Sequence, residues 1–278
     1  MAAEVVQART TKVAWYVLLT ALSVVVLAPV CLTLVRALST PASYVREGLP
    51  PWPVDVQWDV WSRAFTDGEL GRKLLVSALV TLVIVVCQLL TAVLAAYAFT
   101  FLDFPLRRTL FALFMATLML PIEVTLIPNV QTVRSWGWLN SVPGLTAPFL
   151  ATAFGVFLVR QGFLGIPRDL RDAAQLDGFG HLGFLRRVAV PVTRPLIASF
   201  AVIAFLSAWN QYTWPRAVVT EERWETIQIG LRSLSARTVD ESNIGMAAAL
   251  IAAVPVLTVL VLLQRHLVRG LTAGAVKG

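Results

Sequence analysis

The sequence has few charged residues and few of the side chains on which soluble domains and enzymes depend. Only 14% of its 278 residues are charged, whereas a soluble domain carries about 25%. Cysteine and histidine occur twice each, without metal-ligand spacing or a disulfide framework. The phosphate-cradling motif G-x-x-x-x-G-K-[ST] is absent, as is any paired-carboxylate or Ser-His-Asp arrangement. These absences argue against a soluble enzyme, a zinc domain and an ATPase.

Long apolar runs account for most of the composition, which is 57% hydrophobic. A run of about 18 apolar residues can cross a bilayer as a helix, and a soluble α/β protein would break such runs into strand-length pieces. The first run is longer than the core of a signal peptide and is interpreted as an uncleaved anchor. We predict an all-α integral membrane protein, one transmembrane domain over 1–278, with six spans at 13–38, 72–100, 108–133, 139–161, 195–215 and 244–265.

The distribution of basic residues predicts the orientation of these spans. Thirteen Lys and Arg lie in the two tails and in the second–third and fourth–fifth loops, against nine on the other side, where ten Asp and Glu offset them. Because basic loops remain in the cytoplasm, both termini are expected there. The net charge of +7 is therefore interpreted as a topological signal, and nucleic acid is not an expected partner.

The longest basic loop, residues 162–194, has the signals of a short helix. Pro167 is suited to the first turn, Asp169 and Asp172 follow near the positive end of the helix, and Gly178 is a natural stop. The pattern predicts a helix of about three turns that presents small residues, Ala173 and Ala174, to another surface.

These residues resemble the EAA loop of ABC-importer permeases, which reads EAA, three residues, Gly, nine residues, Ile, one residue, Leu-Pro. Here the order is Asp172-Ala173-Ala174, Gly178, Val188 and Val190-Pro191 at the same spacing, with mild replacements and with Phe179 where a small residue is common. The resemblance implies a permease fold with six spans and a loop that docks onto a separate ATPase subunit. The docking residues that it implies are Asp172, Ala173, Ala174, Asp177, Gly178 and Pro191.

A second motif overlaps this loop, since 178–183 satisfies the dinucleotide fingerprint G-x-G-x-x-G. That fingerprint needs a preceding strand and an acidic residue about 20 positions later. A predicted helix precedes it here, and no acidic residue follows before Glu221. A nucleotide site is therefore not expected.

Three further phrases resemble the carbohydrate-type ABC permeases, and within them the branch that imports glycerol-3-phosphate and glycerophosphodiesters such as glycerophosphocholine. They are MLPIEV at 119–124, WNQYTWP at 209–215 and QRHLVRGL at 264–271. The resemblance implies a non-enzymatic permease of the bacterial inner membrane with a homologous second permease, an ATPase dimer that binds ATP and Mg, and an extracytoplasmic solute-binding protein. An importer of di- or oligosaccharides stays open as an alternative.

Polar residues inside the spans are candidates for the substrate pathway. Glu123 interrupts an apolar run between Pro121 and Pro128, which should break or kink the helix; it could contact substrate or pair with the partner subunit. Asn210 and Trp214 would share a helix face at spacing i, i+4. The candidate pathway residues are Glu123, Trp209, Asn210, Gln211, Tyr212 and Trp214.

Two functions of other classes are alternatives to the importer. A proton-coupled secondary transporter would use Glu123 as its proton carrier, but such proteins often contain inverted repeats, and none is visible here. A membrane-embedded enzyme is disfavoured by the missing catalytic constellation. His181 and His266 are interpreted as solvated residues.

Overall fold

The structure, a computed structural model, describes residues 2–235 and 239–272. Arg237 and Lys277, which entered the charge count, lie outside these residues. Within them every extended segment of regular structure is helical, and the single bridge pair outside the helices joins Ser39 and Val56. The prediction of an all-α chain is confirmed.

Three long helices run without a break. They are α1 (Ala2–Leu38), α4 (Leu70–Phe101) and α15 (Ser242–Thr272), each long and apolar enough to cross a membrane. Two short helices lie between the first two, α2 (Pro41–Arg46) and α3 (Val60–Thr66). Each long helix holds all or nearly all of a long charge-free run, at 13–35, 74–102 and 244–264, because charged side chains are costly in lipid.

The remaining apolar runs form bent pairs. The first pair is α5 (Arg107–Ala116), with a 3₁₀ turn at Thr117–Met119, followed by α6 (Ile122–Ser135) at 101°. The second is α7 (Val142–Thr146), with a 3₁₀ turn at Ala147–Phe149, followed by α8 (Ala153–Leu164) at 50°. If each bent pair counts as one span, the described residues hold up to six spans.

The third bent pair joins the long basic loop to the next apolar run. The helices in order are α9 (Arg168–Leu176), α10 (His181–Phe184), a π turn at Leu185–Ala189, α11 (Val190–Val192) and α12 (Arg194–Trp209), with a bend of 79° before α12. After α12 come α13 (Thr213–Val218), a 3₁₀ turn at Glu222–Trp224, α14 (Ile227–Ser235) and a 3₁₀ turn at Val239–Glu241.

The helix bounds correct two of the expected spans. The break near Pro121 was expected, although Pro128 lies inside α6 without ending it. The run 139–161 is interrupted at 150–152, which the sequence pattern did not indicate. The run 195–215 is not one helix, because α12 ends at Trp209 and a new helix begins at Thr213. At 16 residues, α12 is about 24 Å long, shorter than the hydrocarbon core of about 30 Å.

Residues 2–70 together with 231–253, where described, form one compact unit. Apolar residues such as Tyr44, Val60 and Ile244 are buried in it. Among its polar contacts, the Asn243 side-chain amide donates to Gln57 Oε1 at 2.8 Å, and the Val54 N–H donates to the Ser39 hydroxyl at 3.1 Å. The apolar side chains of α1 from Val13 to Leu27 are exposed in the single chain, as expected of a helix that meets lipid or another subunit.

Residues 71–230 together with 254–272 form the second unit, which contains two hydrophobic clusters. The coupling-end cluster gathers buried residues from α4, α8, α9, α10 and α12, among them Tyr97, Phe163, Ala174, Phe184 and Phe200. The distal cluster gathers Val80, Ile84, Val133, Leu145, Trp214, Val218 and Ile229. Because α4 contributes to both, it connects the two ends of this unit.

Candidate functional site

The coupling segment, residues 162–194, contains the predicted short helix. Pro167 immediately precedes α9, and Asp169 lies in its first turn, where a negative charge is favourable. The helix ends at Leu176, and Gly178 takes a φ of +77°, a left-handed conformation that glycine adopts without strain. The helix and its glycine stop are confirmed, with nine residues where about three turns were expected.

The two alanines of the motif lie on different faces of α9, which corrects the expectation that both are presented to another protein. Ala174 is only 4% exposed and packs into the coupling-end cluster of its own chain. Arg171, on the same face, stacks over the Phe101 ring at 5.8 Å. Ala173 is exposed, as are Asp172 and Asp177. Residues 171 and 174 are three apart and share a helix face, so the exposed positions form the opposite face.

The opposite, outward face of α9 carries an exposed leucine. Leu176 is 90% exposed and lies three residues after Ala173, on the same side of the helix. Asp169 and Asp172 are also exposed on this side. We call Asp169, Asp172, Ala173 and Leu176 the outward face. This face therefore offers one apolar side chain beside a small residue and two carboxylates, and its own chain does not cover it.

The second half of the coupling segment leads the chain back to the membrane run. The π turn Leu185–Ala189 directly precedes α11, which contains Pro191. Proline has no N–H to donate to the carbonyl four residues earlier, and a wider turn is a common local adjustment in such helices. Pro191 is half-buried. It lies in the short helix just before the 79° bend and is not part of the outward face.

A hydrogen bond that the sequence did not reveal joins the coupling segment to α4. The Tyr97 hydroxyl and His181 Nδ1 are 3.0 Å apart, and the two rings meet edge to face at 6.1 Å. His181 is exposed, so its interpretation as a solvated residue is confirmed, although its ring also has a partner in Tyr97. No local pattern pairs residues 84 positions apart, so only the fold could bring them together. The residues 178–183 follow helix α9, which confirms that they lack the strand a dinucleotide site requires.

The polar residues after α12 cap a helix end, which corrects their expected arrangement. Asn210 is the C-cap of α12, and its side-chain amide donates to the Leu206 carbonyl at 2.9 Å. Because the helix stops there, Asn210 and Trp214 do not share a helix face. Gln228 of α14 donates to the Trp209 carbonyl at 3.3 Å. The Gln211 carbonyl oxygen Oε1 is buried without a hydrogen-bond partner among the described residues.

The two tryptophans of this stretch are packing residues in the single chain. The Trp214 indole N–H donates to the Gly144 carbonyl at 3.1 Å, and its ring meets Phe149 edge to face at 5.9 Å. Trp209 is buried and stacks on Phe205 at 5.7 Å. It borders an apolar groove of about 760 Å³. Tyr212 is partly exposed beside them.

Glu123 lies in the first turn of α6, just after the 101° bend, and is exposed. Helix α6 packs against α13, so the break before Glu123 and the break at 210–212 belong to neighbouring elements. Free backbone groups and a carboxylate cannot face hydrocarbon. The exposed polar side of these two breaks must therefore face protein or water. Whether Glu123 contacts substrate stays a prediction.

Comparisons with known proteins show which family the chain belongs to. Residues 88–273 match the family described as binding-protein-dependent transport system inner membrane component. A Rhizobium meliloti (strain 1021) protein named "sn-glycerol-3-phosphate transport system permease protein UgpE" is 35% identical over 258 residues, covering 89% of this chain and 91% of that protein. A Yersinia enterocolitica protein of the same name is 36% identical over 203 residues, covering 72% of each chain.

A solved structure shows the same fold. It is described as a bacterial ABC transporter involved in the import of the acidic polysaccharide alginate. The matched chain superimposes with a TM-score of 0.80 at 23% sequence identity, over 92% of this chain and 96% of that chain.

Proposed function

The chain belongs to the family of binding-protein-dependent transport system inner membrane components, and on that premise we propose that it carries sn-glycerol-3-phosphate, or a glycerophosphodiester, into the cytoplasm. As a member, it is a multi-pass inner-membrane permease subunit of an ABC importer. The substrate proposal is carried by the relatives at 34–36% identity over most of the chain.

The outward face of α9 is the surface that we assign to the ATPase subunit. It combines a leucine that is 90% exposed with a small residue, so a shallow apolar groove could receive Leu176 while the backbone at Ala173 approaches closely. Asp169 and Asp172 beside it favour a groove with a basic rim. The inward face of α9 already packs into the coupling-end cluster through Ala174. A displacement of α9 by the docked ATPase would therefore also move this cluster.

We assign the solute path to the surface around two helix breaks, the one before Glu123 and the one at 210–212. The side chains of Asn210, Gln211 and Gln228 offer neutral donors and acceptors suited to glycerol hydroxyls. Glu123 would repel the phosphate but can accept hydrogen bonds from hydroxyl groups. The phosphate charge is then matched by the homologous second permease, which completes the pathway.

The remaining assembly follows from the same proposal. Both termini lie in the cytoplasm, ATP and Mg bind to a separate ATPase dimer, and an extracytoplasmic binding protein delivers the solute. ATP binding closes the ATPase dimer and switches the cavity between inward- and outward-facing states.

The test of the docking surface is Leu176→Asp in the full transporter reconstituted in proteoliposomes. We expect uptake of radiolabelled sn-glycerol-3-phosphate to fall at least tenfold because a carboxylate cannot enter an apolar groove. Leu106→Asp is the matched control: Leu106 is 70% exposed, in a loop expected on the same side of the membrane. Equal uptake by the two variants would count against this assignment of the outward face.

The substrate is tested on the cognate binding protein with sn-glycerol-3-phosphate, glycerophosphocholine and disaccharides. Preference for a disaccharide would favour the sugar-importer alternative. Uptake driven by a proton gradient without any ATPase would instead support a secondary transporter.

A further inference from the structure

Helix α4 is fastened at its C-terminal end to the coupling segment. Besides the hydrogen bond to His181, Tyr97 packs edge to face on Phe163 at 6.4 Å and is only 6% exposed. One turn further on, Phe101 lies under the Arg171 guanidinium and meets Phe184 edge to face at 5.2 Å. Residues of both α9 and α10 thus contact the last two turns of α4.

The other end of α4 is fastened to the distal segment, residues 219–230. Lys73 Nζ lies 3.0 Å from Glu225 Oε2, and this ion pair is largely buried. The Ser77 hydroxyl accepts the Ile227 N–H at 2.7 Å in a buried hydrogen bond. A Cβ at Gly230 would lie 2.6 Å from the Lys73 side chain, so glycine there lets the lysine stem pass close to the backbone. Directional polar contacts therefore fix the distal segment to the first turns of α4.

Between these two attachments α4 is continuous. It has neither proline nor glycine after Gly71, and such residues are the usual causes of a kink. Tyr97 follows Lys73 by 24 positions, which places the two attachments about 36 Å apart at 1.5 Å per residue. The runs at 107–135, 142–164 and 181–209 are bent by 50° or more. By contrast, α4 is unbroken and has specific polar contacts near both of its ends.

We propose that α4 is the connecting helix of this permease: it carries displacement of the coupling segment to the distal segment 219–230, with Tyr97–His181 and Lys73–Glu225 as its two joints. The inference rests on the proposed function, because it supposes that an ATPase moves the coupling segment. Tyr97 and Lys73 are positioning residues and need not touch the solute.

The first test is Tyr97→Phe in the complete transporter in proteoliposomes, which removes the hydroxyl and keeps the ring contacts. We expect the ATPase to remain bound and to hydrolyse ATP, while solute moved per ATP falls about fivefold, the lower range of allosteric coupling. Tyr16→Phe is the control, since Tyr16 is 71% exposed on α1. A ratio of solute to ATP within twofold of the unmodified protein would overturn the proposal.

The second test concerns the distal joint. Lys73→Met combined with Glu225→Gln removes the ion pair without leaving an unpaired buried charge, and it should lower the same ratio. The triple variant combines Tyr97→Phe with this double variant. If α4 joins the two ends in series, the triple variant should move no less solute per ATP than the weaker of its two parents. If the loss in solute moved per ATP in the triple variant equals the product of the losses in its two parents, the series arrangement is overturned.

These tests are separate from the test of the proposed function. Should the unmodified transporter fail to transport sn-glycerol-3-phosphate with ATP, the proposed function fails before any variant is compared. Should it transport while Tyr97→Phe behaves like Tyr16→Phe, only the connecting-helix proposal fails.

Discussion

The two ends of the second unit are held together by different kinds of contact. At the coupling end, rings from α4, α8 and α10 pack on one another, with centroid distances of 5.1 to 6.4 Å around Tyr97. At the distal end, directional polar contacts are added to the hydrophobic cluster: the Lys73–Glu225 ion pair, the Ser77 hydrogen bond and the Asn140 side chain, whose carbonyl accepts the N–H groups of Thr220 and Glu221.

This difference bears on movement. Ring packing is tolerant of small shifts, because aromatic pairs are favourable over a range of distances and angles. Hydrogen bonds weaken steeply when their geometry changes. The coupling end is therefore suited to follow a moving partner, and the distal end is suited to hold its segment in one position relative to α4.

The largest expected effect on stability is at the distal end. Lys73→Met leaves the Glu225 carboxylate unpaired in a largely buried site, and we expect a loss of about 3 kcal/mol in the free energy of unfolding, the lower range for broken buried pairs. Thermal unfolding in detergent measures it. Adding Glu225→Gln should restore most of the loss. If the single variant is as stable as the double, the ion pair does not hold this end.

At the coupling end, steric overlap should have the next largest effect. A Cβ at Gly155 would overlap the Phe200 ring, so Gly155→Leu should cost about 2 kcal/mol through overpacking between α8 and α12. Gly180→Ala is the matched control, because no atom lies within 4 Å of its added Cβ. Similar unfolding temperatures for the two variants would show that this interface adapts more than the structure indicates.

The two alanines of α9 separate stability from coupling. Ala174→Leu adds volume to the coupling-end cluster and should lower the free energy of unfolding by about 1.5 kcal/mol. Ala173→Leu lies on the outward face and should leave stability unchanged while reducing ATP-driven uptake. Unfolding and uptake are measured on both proteins. Equal destabilisation by both substitutions would contradict the assignment of opposite faces.

The smallest of these effects is expected for Trp214→Phe. Phenylalanine keeps the apolar ring but removes the donor to the Gly144 carbonyl, which should cost about 1 kcal/mol. Trp52→Phe, at an exposed position, should change the unfolding temperature little. If Trp214→Phe is equally silent, the distal end depends less on this hydrogen bond than on its ion pair.

Much of the fold was predictable because bilayer crossing leaves a simple pattern. Runs without charge at 13–35, 74–102 and 244–264 correspond to helices that begin or end near those bounds. The bends between the helices were harder to predict from the sequence. Pro121 marked one, but the break at 150–152 has no strong breaker except Pro148, and the end of α12 depends on caps supplied by Asn210 and by Gln228 from another helix.

The candidate site was predictable in part for a similar reason. Motif spacing indicated the helix and the stop at Gly178, because these depend on local backbone conformation. It could not indicate which alanine faces inward, since that depends on where the Tyr97 and Phe163 rings lie. Motif spacing also gave no indication that Tyr97 contacts His181 or that Lys73 pairs with Glu225.

The sequence by itself determined that this chain lies in a membrane as helices, that it carries a short coupling helix ended by glycine, and which family it belongs to. Hydropathy, helix caps and motif spacing are local properties, written in neighbouring residues. Only the tertiary structure decided which face of that helix stays free and that α4 is attached at both ends. Those features depend on contacts between distant residues, whose pairing no local pattern records.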